Sequence, residues 1–455
     1  MLDNSPPTAA RVADFVLGDL THVPESALRM AATLLLDTIG VAAGAANLPV
    51  GRIARDFAVD FHAAGSNRFS APLMFDGRRV SLAGAAYAAA TQIDNLDGHD
   101  GYNPTKGHIG CAVVPALFAF ASQKPELSGR EALATLVMAY EVAARAGISL
   151  HATVSDYHTS GAWNALGVAA IGCRLQNTSA EVLRHALGIA EYHGPRSQMM
   201  REIANPTMLH DGSGIGAMTG VNAAVLAARG FEGAPAITME APEVAHIWQD
   251  LGTDWTIERN YVKPYPVCRW AHAAIDATHQ LMQDGRFSAS DVASVHVETF
   301  SEAAQLFAGM PATTSQAQYS LAFAIAVMLH HECIGPQHVS GAGLSDPVLA
   351  DLLPKIKITE DVRHSTRFPA GRWSNVTIEL TDGRVLPSGD VHATGGPEAP
   401  MRAEQFKHKF DMMAAAALSP ERAAAVWSAG QCLLDDGLLF ASLAEHVHAP
   451  ADVVS

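Results

Sequence analysis

The chain has 455 residues, of which 49% are hydrophobic and 17% are charged, and its formal net charge at pH 7 is −16. This length predicts two domains, and the low charged fraction predicts extensive burial, including helices that are covered by a partner subunit. The acidic balance argues against a nucleic-acid-binding protein and means that an anionic ligand would need a locally positive site.

The cysteines and the apolar segments bear on the cellular compartment. The five cysteines are scattered and form no CxxC pair, which favours a reducing compartment over a disulfide framework. The opening residues lack the apolar core of a signal peptide. The longest apolar stretches, such as CAVVPALFAFA, are shorter than the roughly 18 residues of a membrane span. We therefore expect a cytoplasmic protein that does not cross a membrane.

The first 260 residues or so show helical periodicity, with no β-rich run of useful length. Apolar residues recur at helical spacing between Pro, Ser and Gly boundaries. The predicted helices cover residues 24–44, 81–94, 111–123, 129–150, 161–176, 179–193 and 214–230. Their many small residues indicate close helix packing. We predict that residues 1–262 form an all-helical domain.

The pattern changes near Lys263, where strands begin to alternate with helices. Residues 291–300 alternate as a strand does, and residues 373–391 predict two strands joined at Asp382-Gly383, a hairpin signal. Further helices are predicted at 317–331, 346–356 and 420–435. The predicted fold is therefore mainly α: a large all-α domain, completed by residues 398–455, and a smaller α+β domain over residues 263–397.

Ionisable side chains gather in loops at the ends of these predicted helices. The richest loop is TQIDNLDGHDGYNPTKGHIGCAVVP (91–115), which holds far more charge than a simple turn requires. The candidate residues in this and later loops are Asp94, His99, Lys106, His108, His158, Arg201, His210, Lys263, Arg269 and His272. Loops at helix ends often carry functional residues. We expect these distant segments to meet in one cavity.

Two kinds of site fit the richest loop: a metal site, or an acid/base site that handles a small anion. Asp97, His99 and Asp100 offer oxygen and nitrogen ligands for a metal. The sequence has no HExxH motif, calcium-loop spacing or cysteine ligand set, and Lys106 and Lys263 would repel a cation. We rank the anion site first and a metal-dependent hydrolase second.

Several of these segments, in this order, resemble the MmgE/PrpD family, which includes 2-methylcitrate dehydratase, cis-aconitate decarboxylase and iminodisuccinate epimerase. The similarity lies in LLLDTIGVAAGA, in DNLDGH with KGHIG and VPAL, in YHTSGAWNALG, in MLHDGSGIGAMTGV and in VKPYPVCRWAHAAIDA. It spans about residues 10 to 400. Order and spacing over several blocks are more specific than any single motif.

The resemblance implies a large all-α domain, a smaller α+β lid, a homodimer and a site between the two domains. It also implies small di- or tricarboxylate substrates and no metal or organic cofactor. By position, Asp94, His108, His158 and Lys263 match active-site residues of the family. The other candidates would bind substrate.

Two positions depart from the family pattern. His210 stands where a lysine is usual, just before Asp-Gly. Phe323 stands where a tyrosine is common, although Tyr319 lies one turn earlier. These changes point to a different substrate or to a less positive pocket.

The reactions of such acids share one difficulty, because negative charge builds up on the carbon next to a carboxylate. Cations and amide dipoles would stabilise that charge, and a histidine would move the proton. We predict a dehydratase-type lyase acting on a citrate-like acid, with His108 or His158 transferring the proton. Asp94 would orient a histidine or act as the base itself. An epimerase, an isomerase or a decarboxylase using the same residues is the alternative, and a non-catalytic scaffold is a third possibility.

Overall fold

The computed structural model describes residues 7–452, and helices dominate them. Residues 1–6, part of the opening segment for which no signal peptide was expected, lie outside the described residues. In the first part of the chain the helices are α1 (Thr8–Leu17), α2 (Glu25–Ala45), α3 (Pro49–Phe61), α4 (Leu82–Asp94), α5 (Gly110–Ala121), α6 (Gly129–Thr153), α7 (Gly161–Leu175), α8 (Ala180–His193), α9 (Met199–Ala204), α10 (Ser213–Ala227) and α11 (Ile237–Glu240). All seven helices predicted there are confirmed, with bounds within three residues.

Small residues bring the central helices close together, as their spacing predicted. Helix α7 packs against α6 and α10, and α10 also packs against α4. A β-carbon added at Gly220 of α10 would lie 2.5 Å from the carbonyl oxygen of Ala165 in α7. Such a distance leaves no room for a side chain, so glycine at this position permits the close approach of the two helices.

Helices α2 and α6 correct the expectation that all apolar stretches are too short to span a membrane. By length and composition both helices could do so. However, 83% of the apolar window of α2 and 94% of that of α6 are buried inside the fold. Their apolar surface is therefore used in the core, where central helices are apolar on all sides.

A short antiparallel hairpin interrupts the helical part, which was predicted to have no strands. Strands β1 (Ser70–Pro72) and β2 (Arg79–Ser81) pair around a turn in which Gly77 has a φ of 79°. Strands of three residues are too short to show a period of two in the sequence. The turn is held by the C-terminal segment, because the Phe75 N–H donates to the Val447 carbonyl.

The second part of the chain contains a five-stranded sheet with helices packed on it. Its elements are α12 (His272–Gly285), β3 (Val292–Thr299), α13 (Ser301–Ala304), α14 (Thr314–Gln318), α15 (Leu321–His331), α16 (Pro347–Leu352), β4 (Ile356–Glu360), α17 (Val362–Arg367), β5 (Trp373–Leu380), β6 (Val385–Pro387) and β7 (Val391–His392). The strand order is β4-β3-β5-β6, with β7 paired to β5. Strands β3 and β4 are parallel, and the other pairs are antiparallel.

This sheet confirms the predicted strand at 291–300 and the hairpin between β5 and β6, where Gly383 has a φ of 88°. The predicted helix at 346–356 ends earlier, at Leu352, because β4 begins at Ile356. We call residues 263–397 the sheet region. Helix α12 packs on β5, and α15 packs on α12.

The last helices return to the first part of the chain. They are α18 (Ala403–Ala414), α19 (Pro420–Gln431) and α20 (Phe440–His448). Helices α18 and α19 pack on α2, and α20 packs on α5. The chain therefore folds back after the sheet region.

Candidate active site

A small, partly enclosed cavity lies where the helical part meets the sheet region. Its volume is about 30 Å³, enough for about one water molecule. Side chains from both sides of residue 262 line it. The charged ones are Lys106, Lys263, Arg269, Arg372, Asp97 and Asp211, and the phenols are Tyr157, Tyr261 and Tyr319. We call this space the inner cavity. Its described lining carries four basic side chains against two carboxylates.

Lys263 and Asp97 form a buried ion pair at one wall of the inner cavity. The Lys263 ammonium donates to the Asp97 carboxylate, and also to the Asp97 carbonyl at 2.9 Å. Burial lowers the pKa of Lys263, but the charge of Asp97, its hydrogen bond and the neighbouring Tyr261 and Cys268 together outweigh burial and raise that pKa. Asp97 adopts a left-handed backbone conformation, with a φ of 56°, which turns its carbonyl and carboxylate towards the same ammonium. Lys263 therefore stays charged.

His108 and Asp211 face each other across the inner cavity. His108 Nε2 lies 3.3 Å from Asp211 Oδ2, and His108 Nδ1 lies 2.6 Å from the Asp100 carbonyl oxygen. A carbonyl can only accept, so Nδ1 carries the proton and Nε2 presents its lone pair to Asp211. Burial, together with the charge of Asp97, raises the pKa of Asp211 to about 7. Burial also lowers the pKa of His108. The pair therefore holds a neutral imidazole beside a carboxyl group that binds a proton near neutral pH.

Asp94 and His99 lie directly behind this pair. Asp94 accepts the backbone N–H of Ser213 at 3.1 Å, at the start of α10, and lies 3.7 Å from His99 Nε2. The His99 ring contacts that of His108, with centroids 4.4 Å apart. Burial and the charge of Asp211 raise the pKa of Asp94 well above its usual value. Both residues are buried and support the pair rather than line the cavity.

Lys106 is the basic group of the inner cavity that is held most loosely. It has a left-handed backbone conformation, with a φ of 52°, and its ammonium lies 4.4 Å from the centre of the Tyr157 ring. The Tyr157 hydroxyl donates to the Lys106 carbonyl. Burial and the charge of Arg372 lower the pKa of Lys106. An anion placed between Lys106 and Arg372 would attract both cations and offset their mutual repulsion.

Arg269 and Arg372 supply the basic wall on the sheet side. Arg269 is fixed by donating to the carbonyls of Ala393, at 3.0 Å, and of Thr394. Its guanidinium lies 4.4 Å from the centre of the Tyr261 ring. Arg372 donates to the Pro369 carbonyl. Both side chains are nearly fully buried, where an unpaired charge is costly and an anionic partner is correspondingly favourable.

His210, one of the two departures from the family pattern, lies next to Tyr319. The His210 and Tyr319 rings are 5.5 Å apart, and His210 Nε2 lies 3.4 Å from the Ser315 hydroxyl. Burial and the charge of Lys263 lower the pKa of His210 to about 3, so it is neutral. Tyr319, and not Phe323, is among the residues that line the inner cavity.

Three predicted site residues lie elsewhere. His158 is partly exposed and does not line the inner cavity, and its backbone N–H lies 3.3 Å from His151 Nε2. Arg201 is exposed, in an open pocket of about 630 Å³ that Asp94 and His210 also line. His272 is buried and donates from Nε2 to the Val267 carbonyl at 3.0 Å. Their proposed roles remain predictions.

A second buried lysine, which the sequence did not single out, holds the loop that carries the site. Lys409 of α18 pairs with Asp37 of α2 and donates to the Gly98 carbonyl at 2.7 Å. Gly98 lies between Asp97 and His99 in the chain. A carboxylate inside the apolar helix LLLDTIG was a usable signal for Asp37, whereas nothing in the sequence near Lys409 distinguishes it from a surface lysine.

Metal ligands are also available in the site. The ligand atoms of Asp97, His99 and His108 lie within 4.8 Å of one another. However, the Lys263 ammonium pairs with Asp97 Oδ1, and its positive charge would repel a metal ion bound to the same carboxylate. The geometry therefore suits an anion better than a metal ion.

Comparison with protein families gives two matches that together cover most of the chain. Residues 10–246 match the MmgE/PrpD N-terminal domain, and residues 265–435 match the MmgE/PrpD C-terminal domain. The second match includes helices α18 and α19, which pack on α2. The break between the matches, at 247–264, lies just before the basic wall formed by the sheet region. No curated protein matches the chain.

Proposed function

The chain belongs to the MmgE/PrpD family, and from this premise we propose that it is a cofactor-independent dehydratase that removes water from a small citrate-like carboxylate. The family contains lyases and related enzymes, so the chain is an enzyme. The observation that carries the proposed reaction is the inner cavity, where the His108–Asp211 pair lies among four basic side chains.

Substrate binding is assigned to the basic side chains. Lys106, Arg269 and Arg372 carry positive charges without a carboxylate partner of their own in the described inner cavity, and Lys263 shares its charge with Asp97. The net charge of the chain repels an anion, so this local excess of positive charge attracts the substrate. Two unit charges 4 Å apart attract by about 4 kcal/mol at an effective dielectric constant of 20. Two or three carboxylates therefore match the number of cations.

The proton transfers are assigned to the His108–Asp211 pair. When the substrate separates the two groups, the free lone pair of His108 Nε2 removes the proton from the carbon next to a carboxylate. The C–O bond to the hydroxyl group breaks, a C=C bond forms, and protonated Asp211 delivers its proton to the departing oxygen, which leaves as water. Transfer of the proton from His108 to Asp211 then restores the starting state. A base and an acid placed in this way contribute typically 10²–10⁴-fold each.

The charge that develops during this step is stabilised by fixed donors. Lys263 and Arg269 both line the inner cavity, and the buried phenol of Tyr319 stays protonated, because burial raises its pKa well above the usual value. Preorganised donors of this kind usually supply the largest share of catalysis.

Access to the inner cavity requires movement of the sheet region. A volume of about 30 Å³ holds a water molecule and not a tricarboxylate. We propose that residues 263–397 act as a lid that opens for the substrate and closes on it. Closure brings Lys263, Arg269 and Arg372 towards the substrate and excludes water.

We further propose that the protein is a cytoplasmic homodimer. Large apolar side chains are exposed on and around helices α8 to α10, namely Tyr192, Met200, Met208, Leu209 and Ile215. Contiguous exposed apolar surface commonly marks a protein–protein interface.

The function is tested by following ultraviolet absorbance of new double bonds across a panel of di- and tricarboxylates. We expect turnover with a citrate-like acid, and a loss of about 10²-fold or more in kcat for His108→Asn and for Asp211→Asn. His246→Asn and Asp60→Asn, at exposed positions, are the matched controls. Full activity of either site variant contradicts the proposed roles. Solvent deuterium incorporation without loss of water would instead show an epimerase.

A further inference from the structure

A second cluster of ionisable side chains lies on the sheet region, outside the inner cavity. His330 and His331 are the last two residues of α15, and Asp346 is the residue before α16. The two imidazole Nε2 atoms lie 3.7 and 3.4 Å from the same carboxylate oxygen, Asp346 Oδ2. The proposed reaction does not use these three side chains.

The spacing of these atoms fits shared binding of a metal ion better than direct hydrogen bonding. A charge-assisted N–H···O bond is about 2.7–2.9 Å long, which is shorter than either distance. Around a tetrahedral zinc ion with bonds of about 2.0–2.2 Å, neighbouring ligand atoms lie about 3.3 Å apart. The three ligand atoms all lie within 4.8 Å of one another.

The surrounding contacts hold the three groups in place. Asp346 Oδ1 accepts the backbone N–H of Val348 at 2.9 Å, which caps α16 and leaves Oδ2 directed at the imidazoles. The His338 ring stacks on that of His331, with centroids 4.4 Å apart and an interplanar angle of 9°. The C-terminus of α15 carries partial negative charge, which favours a cation.

We propose that His330, His331 and Asp346 bind one divalent transition-metal ion, with zinc as the best match. Two imidazole nitrogens and one carboxylate oxygen would supply three ligands, and the partial exposure of all three side chains lets water supply the fourth. The ion would connect the end of α15 to the start of α16 and fasten the intervening segment of the sheet region. The site stands apart from the dehydratase proposal, because it shares no residue with the inner cavity.

The test is calorimetric titration of the untagged, full-length, chelator-treated protein with zinc chloride. We expect one tight equivalent in the wild type and in His246→Asn, an exposed histidine elsewhere. We expect the affinity to fall about tenfold or more in His331→Asn and in Asp346→Asn, and the latter side chain can still accept the Val348 N–H. Circular dichroism checks that both variants fold.

Two results would overturn the metal site: a wild type that binds no zinc tightly, or a tight equivalent that survives in both ligand variants. Binding that is lost instead in His99→Asn would place the ion in the catalytic region and would equally refute this site. Dehydratase turnover is measured separately, and neither result bears on it.

Discussion

The His108–Asp211 pair is the residue-scale feature on which the proposed chemistry depends. In this pair an imidazole whose Nδ1 donates to the Asp100 carbonyl lies 3.3 Å from a carboxyl group whose pKa is raised to about 7. In the proposed reaction, the competent state is the one in which Asp211 is protonated and His108 is neutral.

This assignment predicts the pH dependence of the reaction. The folded-state pKa of Asp211 lies above its unfolded value of 3.8, so the proton that protonates the leaving hydroxyl is lost as pH rises through about 7. We expect kcat/KM to fall above that pH, as measured by initial rates between about pH 5.5 and 9. A rate that instead rises through pH 7 and stays high would make Asp211 the base.

His210 gives a second prediction, on stability. Its pKa is lowered from 6.5 to about 3, so the unfolded chain takes up a proton at a pH where the folded chain does not. The stability linked to His210 is therefore complete above about pH 6.5 and is lost as pH falls towards 3. Between pH 7.5 and 4.5 the wild type should lose about 3 kcal/mol more unfolding free energy than His210→Asn. Parallel losses, measured by denaturant unfolding at both pH values, would contradict this.

Part of this candidate site was predicted from the sequence alone. Asp94, His108 and Lys263 were found because ionisable residues interrupt helical patterns, and the structure brings them within one buried region. Asp211 was visible as the neighbour of His210, but only the fold shows that it faces His108. His158 lies in one of the loop segments that were predicted to meet in the site, yet its side chain does not line the inner cavity. The direction of a loop side chain depends on tertiary contacts, which a motif does not encode.

At the scale of elements, the site depends on the loop 97–100, which hydrogen bonds from Lys263 and Lys409 hold in place. Residues 97–100 follow α4 and supply the Asp97 carboxylate to Lys263 and the Asp100 carbonyl to His108. Between them, the Gly98 carbonyl accepts from Lys409 of α18. Helix α18 therefore contributes to the position of His108 from a distance of about 300 residues in the chain.

Replacing Lys409 tests this positioning role. Lys409→Met leaves the Asp37 carboxylate buried without its partner, which should cost about 3–5 kcal/mol of stability. Adding Asp37→Leu removes the stranded charge and should recover most of that loss. We expect the double variant to remain low in kcat, because the Gly98 carbonyl still lacks its donor. Wild-type kcat in a restabilised double variant would show that Lys409 matters only for stability.

The elements themselves were predicted to the extent that they are long and periodic. Helices such as α6 repeat their apolar residues over several turns, which fixes both their type and their bounds within a few residues. The hairpin β1–β2 was missed because each strand has three residues. The helix predicted at 346–356 ran past the end of α16 and included Ile356, the first residue of β4, since the apolar residues before Pro354 continue the helical spacing.

Two separate claims concern the whole molecule: one rests on the exposed apolar side chains near α10, and the other on the inner cavity. The first is dimerisation. Leu209 is 76% exposed in the single chain, and we expect Leu209→Glu to shift the protein from dimer to monomer in sedimentation velocity. Phe61→Glu, at a position 73% exposed on another helix, is the control. An unchanged dimer in Leu209→Glu, or a monomeric wild type, would remove this face as the interface.

The second claim is that the helical part and the sheet region close on a carboxylate, and a crystal structure with citrate tests it most directly. We expect citrate to bind in an enlarged inner cavity, with carboxylate oxygens within about 3.2 Å of Lys106, Arg269 or Arg372. One of its carbon atoms should face His108 Nε2. Citrate bound only in another pocket, or an inner cavity that stays closed at saturating citrate, would contradict it.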